Sequence, residues 1–255
     1  MTDEILLAIP NISEGRDIDK VARVAGGSAL LDVHSDPDHN RSVLTYGGSP
    51  GDVTRAVAAM IERAVATLDI RAHTGAHPRF GVVDVLPFVG PGAERAATGL
   101  VWQVAEGCGV PVHFYGKAHS QNRTLPELRR WLRETKPPAH PSAGVLCIGV
   151  RDPLVAFNVN IDATLDEAKA IARAIRSDEI RALAFGLPSR GLVQISMNLT
   201  DPLRIGPREA FTRIDANVVD CDVVGLVPDE LLDDLEGLPL RTQPRGVRQA
   251  LATPG

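Results

Sequence analysis

Cysteine is scarce in this chain: Cys108, Cys147 and Cys221 lie far apart among its 255 residues, in apolar surroundings. Their scatter excludes a disulfide framework, and none has the close sequence partner that a structural zinc site requires. They read as core fillers of a reduced, cytoplasmic protein. No apolar run reaches the roughly 20 residues of a membrane-spanning helix. The acidic start Met1-Thr2-Asp3-Glu4 predicts no secretory signal. A net charge of −5 without a long basic run argues against nucleic acid as a partner. Phosphate-loop chemistry is missing too. Gly47-Gly48-Ser49-Pro50-Gly51 has no lysine at the required place, and Pro50 removes an amide donor. Ser13, Ser142 and Ser196 lack a nucleophile-elbow pattern. No repeat of short period is present.

What is present is a core: 44% of the residues are apolar, in a length that suits one large or two small domains. The most informative stretch is His73-Thr74-Gly75-Ala76-His77-Pro78-Arg79-Phe80-Gly81, between a predicted helix and the strand Val82 to Phe88. Histidine titrates near neutral pH and is the usual proton carrier in catalysis. Glycine and proline fix unusual backbone angles at the edge of an element. The four-residue spacing of His73 and His77 suggests a helical metal site, but Gly75 and Pro78 break that helix, and Thr74 stands where the zincin pattern needs glutamate. On the residues alone, catalysis and a loop whose histidines only satisfy backbone groups remain equal readings.

The order of elements is strand, helix, strand, strand, helix, strand: Ile5–Ile9, Asp17–Ala25, Ala29–Val33, Ser42–Tyr46, a helix carrying Val53, Val57, Met60, Ile61, Ala64 and Leu68, then Val82–Phe88. That is the split βαβ, or ferredoxin-like, order. Helix, strand, helix and strand follow to Val150 and extend this unit. The same order then returns. A strand spans Leu154–Ile161, and Thr164 with Glu167 forms a capping box. Strands at Ala182–Phe185 and Val193–Met197 follow, then a helix at Arg208–Val219 and a strand at Cys221–Val227. The expected domains are 1–150 and 151–236, with a loose tail over 237–255. The expected fold is α/β (α+β): two βαββαβ subdomains, helices outside, with facing sheets that leave a crevice for a ligand.

Several polar residues sit in places that solvation does not explain. Asn11 follows Pro10 at a strand end, where it serves an Asx turn or a ligand. Arg41 opens a strand and suits a carboxylate. Asn158 and Asn160 share parity on an apolar strand, so they face one side together, and Asn198 could join them. Buried amides need partners, which a ligand or a structural network supplies equally well.

The motifs taken together resemble the formiminotransferase family. The matching pieces are Ile9-Pro10-Asn11-Ile12-Ser13-Glu14-Gly15, Leu31-Asp32-Val33 with Ser35 to Val43, the histidine loop with Asp84, Gly149-Val150-Arg151, Val155 to Asn160, Gln194 to Leu199, and Val224 to Pro228. The resemblance runs from about Leu6 to Leu235. It implies two ferredoxin-like subdomains, transfer of a formimino group from N-formimino-L-glutamate to N5 of tetrahydrofolate as co-substrate, and no metal. It places the chemistry in one-carbon metabolism and histidine catabolism, and it implies a homodimer whose partners are small molecules. By position, His77 is the family's acid/base. Asn11, Arg41, His73, Arg79, Ser142, Gly144, Arg151, Asn158, Asn160 and Asn198 become candidate substrate contacts. Asp36 and Asp38 are candidates to face the cationic amidine. The chain departs from the family in a shortened connection between Leu125 and Gly144, where Ala143 replaces a frequent aromatic. That departure leaves two alternatives: an amidine hydrolase, or a non-catalytic protein that binds folate or another small molecule.

Overall fold

In the computed structural model, which describes residues 5–253, Pro10 divides the first strand in two. Proline brings no amide donor to a ladder, so β1 (Leu6–Ala8) ends before it and β2 (Asn11–Ile12) resumes after it. A hairpin follows from β3 (Leu30–Asp36) to β4 (Arg41–Gly48), with β3 running well into the expected turn. Both halves of the first strand lie between β4 and β5 (Val83–Val89) and pair antiparallel with each. Two parallel strands, β6 (Val112–Gly116) and β7 (Leu146–Val150), extend the sheet beyond β5, so the spatial order is β3, β4, β1 with β2, β5, β7, β6.

Helices α1 (Ile18–Ala25), α2 (Pro50–Thr67) and α3 (Ala93–Cys108) cover one face of this sheet. Asp17 caps α1 by accepting from the Lys20 amide, and Ser49 caps α2 with Pro50 at its first position. Val21, Val24, Val53, Val57 and Leu100 pack there against Leu6, Leu86, Phe88 and Ile148. The alternate residues Val85 and Cys147 point the other way. With Tyr115 they meet Leu128 and Leu132 of α4 (Leu125–Thr135). One helix of the first unit therefore covers part of the second face, which corrects the expectation that all helices lie on one side.

Strand β5 carries an irregularity that matters for the site. Asn11 pairs with Val85 and Ile12 with Val83, so one extra residue, Asp84, stands opposite a single step of β2. A bulge of this kind turns a side chain out of its alternating place. By simple alternation from Leu86 and Phe88, Asp84 would enter the apolar layer. It instead meets Arg129 of α4.

A second unit begins after Arg151. It runs β8 (Val155–Ile161), α5 (Leu165–Ala174), β9 (Ile180–Leu187), β10 (Leu192–Leu199), α6 (Pro207–Thr212) and β11 (Val218–Val224). The four strands are antiparallel in the order β11, β8, β10, β9. Thr164 and Glu167 cap α5 reciprocally, as the sequence predicts. Helix α6 is much shorter than the expected Arg208–Val219. The β-branched run from Val218 goes to the sheet edge, where it pairs with β8. Residues 237–253 differ from the loose tail expected of them. Leu238 and Leu240 pack on the second core, the Cys221 amide bonds the Pro239 carbonyl at 2.9 Å, and the Arg241 amide returns to Cys221 at 3.0 Å. After the short α7 (Leu232–Leu235), the chain ends its described course in α8 (Val247–Ala252), where Ala250 is fully buried. Among the described residues no helix is long and apolar enough to cross a membrane.

Gly144 joins the histidine loop to β7. It has φ +73°, and a Cβ there would lie 2.1 Å from the Phe80 carbonyl oxygen. Gly144→Ala is expected to destabilise the chain by about 1–3 kcal/mol through left-handed strain and displaced backbone. A urea titration checks this, and an unchanged midpoint would refute the reading.

Candidate active site

The loop 73–81 is held from three sides. Asn40, with φ +47°, accepts from the Gly15 amide at 2.9 Å and donates to the Thr74 carbonyl at 3.0 Å. His73 donates through Nε2 to the Asn40 carbonyl at 2.8 Å. Gly75 lies so close to the His39 carbonyl that a Cβ would be 2.2 Å from its oxygen. At the far end, Ser13 donates to the Gly81 carbonyl at 2.7 Å, and the Val82 amide reaches the Ala143 carbonyl at 2.9 Å. The motif pieces around Asn11, Asn40 and His73 are thus parts of one assembly.

His77 is half-buried in that loop. Its Nδ1 is 2.9 Å from the Pro78 carbonyl, which only accepts, so Nδ1 carries the proton and Nε2 is the basic nitrogen. Burial pushes its pKa down to about 4, helped by the positive charge of Arg129, then of Arg41 and Arg79; the Pro78 carbonyl opposes the shift. The imidazole is therefore neutral near pH 7.

Three arginines shape this environment in different ways. Arg79 is buried and engaged: Nε donates to Ser13 at 2.9 Å, Nη2 to the Asn11 carbonyl at 3.0 Å, and Nη1 lies 3.5 Å from Asp84. Burial depresses its pKa to about 10 against the pull of Asp84. Arg129 forms a short ion pair with the same carboxylate. Asp84 has no exposed side-chain surface and also accepts from the Phe80 amide at 2.7 Å. Burial alone would raise its pKa, but Arg79 and Arg129 hold it below the usual carboxylate range. Arg41 is depressed by burial, against the charge of Asp36. Cys147, beneath this group, is pushed up to about 12 by burial and Asp84, so it remains a thiol.

The other candidates are placed as follows. The Asn11 side chain donates to the Ile9 carbonyl at 3.1 Å. Ser142 accepts from the Ile70 amide at 2.8 Å through its carbonyl, and Gly144 pairs with His140. Arg151 ends the first unit, its amide 3.2 Å from the Phe88 carbonyl. Asn158, Asn160 and Asn198 belong to the second unit. Asn158 and Asn160 are buried on the sheet face opposite its helices, level with Ser196 and Gln194. Asn160 donates to Asp220 at 2.7 Å and to Asp222 at 3.1 Å, and accepts from Gln194 at 3.0 Å. Asn198 shares that face but is exposed. Asp36 accepts from the His39 amide at 2.8 Å, closing the turn there. Among the described residues no group of three His, Cys, Asp or Glu side chains is arranged to hold a metal.

Sequence reasoning missed Arg129. Leu125, Leu128 and Leu132 mark the buried stripe of α4, and Arg129 stands four residues after Leu125, on that stripe. Arg130 and Arg133 point to solvent. The signal was an arginine at an apolar-stripe position, hidden in a helix that reads as basic overall.

Residues 5–140 match the model of the formiminotransferase domain, N-terminal subdomain. The chain belongs to the formiminotransferase family. Among curated relatives, a formiminotransferase of Thermoplasma acidophilum, glutamate formimidoyltransferase, is 36% identical over 270 aligned positions, covering 89% of each chain. The glutamate formimidoyltransferase of Streptococcus pyogenes serotype M1 is 32% identical, over 91% of this chain and 92% of its own. The formimidoyltransferase-cyclodeaminase of Sus scrofa is 31% identical, and the match takes up 51% of that longer protein. Like the formiminotransferases it matches, this protein is a transferase.

Asp84→Asn leaves Arg79 and Arg129 without their shared buried anion. The expected loss is about 3–5 kcal/mol of folding stability, the scale for breaking a buried pair from one side. A denaturation midpoint within error of the parent would show that the pairing does not hold this site together.

Proposed function

We propose that the protein transfers the formimino group of N-formimino-L-glutamate to N5 of tetrahydrofolate, with His77 as the proton carrier. What carries this reading is His77 itself: a neutral, half-buried imidazole with a defined basic nitrogen, in the motif loop of a formiminotransferase. In the proposed step, N5 attacks the amidine carbon and its proton passes to His77 Nε2. The carbon–nitrogen bond to glutamate then breaks, and His77 returns the proton to the leaving nitrogen. The imidazole ends neutral, as it began, and atoms and charge balance without an oxidant or a metal. Single-histidine shuttling of this sort is worth about 10²–10⁴ in rate.

Other residues take supporting roles in this reading. Arg41 faces a substrate carboxylate. His73 and Asn40 hold the loop that positions His77. Asn11, Ser142, Gly144 and Arg151 are proposed substrate contacts of the first unit; Asn158, Asn160 and Asn198 are a separate candidate group on the second unit's sheet. Arg79 acts by fixing Asp84 and the Asn11 turn rather than by touching substrate. Tetrahydrofolate serves as co-substrate, a homodimer in the cytoplasm is the proposed form, and histidine catabolism the proposed setting.

The direct test supplies N-formimino-L-glutamate with and without tetrahydrofolate. Glutamate release is expected only with the folate, matched mole for mole by formimino-tetrahydrofolate. Release without folate would instead identify a hydrolase, and saturable binding without turnover a binding protein. His77→Ala is expected to fold normally, by circular dichroism and thermal melting, and to lose at least ~10² in turnover; a folded variant with near-parental rate removes His77 from this role.

The pH profile has a defined sign. Burial and the cations depress His77, so the base form of the free enzyme persists below pH 6 and is lost only near pH 4. The acid limb of kcat/KM, which reports the free enzyme, is expected well below 6.5. A limb at or above the reference value of about 6.5 would contradict the charge environment described for this loop.

A further inference from the structure

Among the described residues, two guanidiniums whose charges act on His77 each keep a buried nitrogen without a hydrogen-bond partner: Nε of Arg41 and Nε of Arg129. Leaving a buried donor unpaired costs about 1–3 kcal/mol, and native proteins avoid it nearly everywhere. Arg79, in the same assembly, has Nε, Nη1 and Nη2 all engaged. Arg123 also keeps an unpaired buried Nε, but the charges that act on His77 are those of Arg129, Arg41 and Arg79. Arg41 and Arg129 are near enough that each charge acts on the other and both act on His77. The opposing carboxylates are Asp36, facing Arg41, and Asp84, shared among Arg79, Arg129 and Arg41. The charges that act on His77 are all positive: Arg129, Arg41 and Arg79.

We propose that Arg129, carried in on α4, joins Arg41 in a subsite for a glutamyl carboxylate of the reacting pair. This rests on the formimino-transfer reading, in which both reactants carry a glutamyl group. A guanidinium offers Nε–H and an adjacent Nη–H as a planar fork, which fits two carboxylate oxygens side by side. A carboxylate there would meet an unpaired Nε donor and offset positive charge acting on His77. It would also act on the base. An imidazole held near 4 accepts protons poorly at neutral pH, and general bases work best when their pKa lies near the working pH. An anion bound between Arg41 and Arg129 offsets two of the charges that depress His77, so arrival of substrate restores the basicity that transfer requires. Arg129 is then a specificity-determining and base-tuning residue, contributed by a helix outside the family's histidine motif.

Steady-state kinetics on the full chain with Arg41→Gln, Arg129→Gln and Arg129→Lys, varying each reactant in turn, test the subsite. Both glutamine variants are expected to raise KM at least ~30-fold for one glutamyl-bearing reactant, the scale of a lost buried charge pair, with partial recovery in Arg129→Lys. A rise for N-formimino-L-glutamate assigns the subsite to its carboxylate. A rise for tetrahydrofolate, absent when tetrahydropteroate without the glutamyl tail is the acceptor, assigns it to the folate tail. Unchanged KM for both reactants in both variants overturns the proposal. Arg129→Gln removes a partner of Asp84 and is exposed to instability, so binding is also measured directly. Titration of the parent protein with L-glutamate or glutarate is expected to raise the His77 pKa, followed by NMR of its ring protons, and Arg41→Gln to abolish that rise. No binding and no shift in the parent protein overturns the subsite even if formimino transfer is confirmed. Binding with the shift supports it even if the transfer assay fails, which separates the two claims.

Discussion

A carboxylate with no exposed surface, Asp84, holds the first unit's chemistry together. It reaches the loop through the Phe80 amide and Arg79, and the helix α4 through Arg129. An ionised group in that position costs several kcal/mol of lost hydration, which only well-placed opposite charges and hydrogen bonds repay. That demand determines where its partners stand. Arg79 is drawn to that carboxylate while it bonds Ser13 and the Asn11 carbonyl, so the turn at Asn11 and the end of the histidine loop are tied to each other. The bulge in β5 is the backbone's part of the same arrangement, because it places Asp84 among charges and leaves the apolar layer intact.

The positive charge that acts on His77 comes from the arginines of this arrangement. One carboxylate serves Arg79 and Arg129, and Arg41 looks mainly to Asp36. The net field keeps the imidazole unprotonated near pH 7. In the proposed subsite an anion beside Arg41 and Arg129 offsets that field, which would couple recognition of a carboxylate to the basicity of His77.

Much of the architecture was legible in the residues, for identifiable reasons. The capping box at Thr164 and Glu167 and the stripe of Val53, Val57, Met60 and Ile61 are local signals, and local forces decide those helices. The return of the same element order is a local signal as well, carried by the capping box and the periodicity of each segment. The histidine loop stood out through its two glycines and Pro78, and both glycines sit in close backbone contacts. The misses came from long-range forces. Arg129 was invisible because its partner lies 45 residues away. The bulge at Asp84 depends on pairing with β2. Helix α6 lost its expected second half to the β-branched run at Val218, which the neighbouring strand β8 claims. The segment after Leu235 reads as loose by composition, yet a few buried apolar residues suffice to pin it.

That last segment has a consequence for solubility. Strand β11 lies at the margin of the four-stranded sheet, where a row of amides and carbonyls would otherwise be free to pair with another molecule. Leu240 bridges Cys221 and Gly246 bridges Val227, both in parallel, like a hem sewn along that margin. A chain cut before Leu238 would lose the apolar contacts of Leu238 and Leu240 and expose an unfinished sheet, and an exposed margin is a template for aggregation. The closing residues of the described chain thus protect the sheet from other copies of itself.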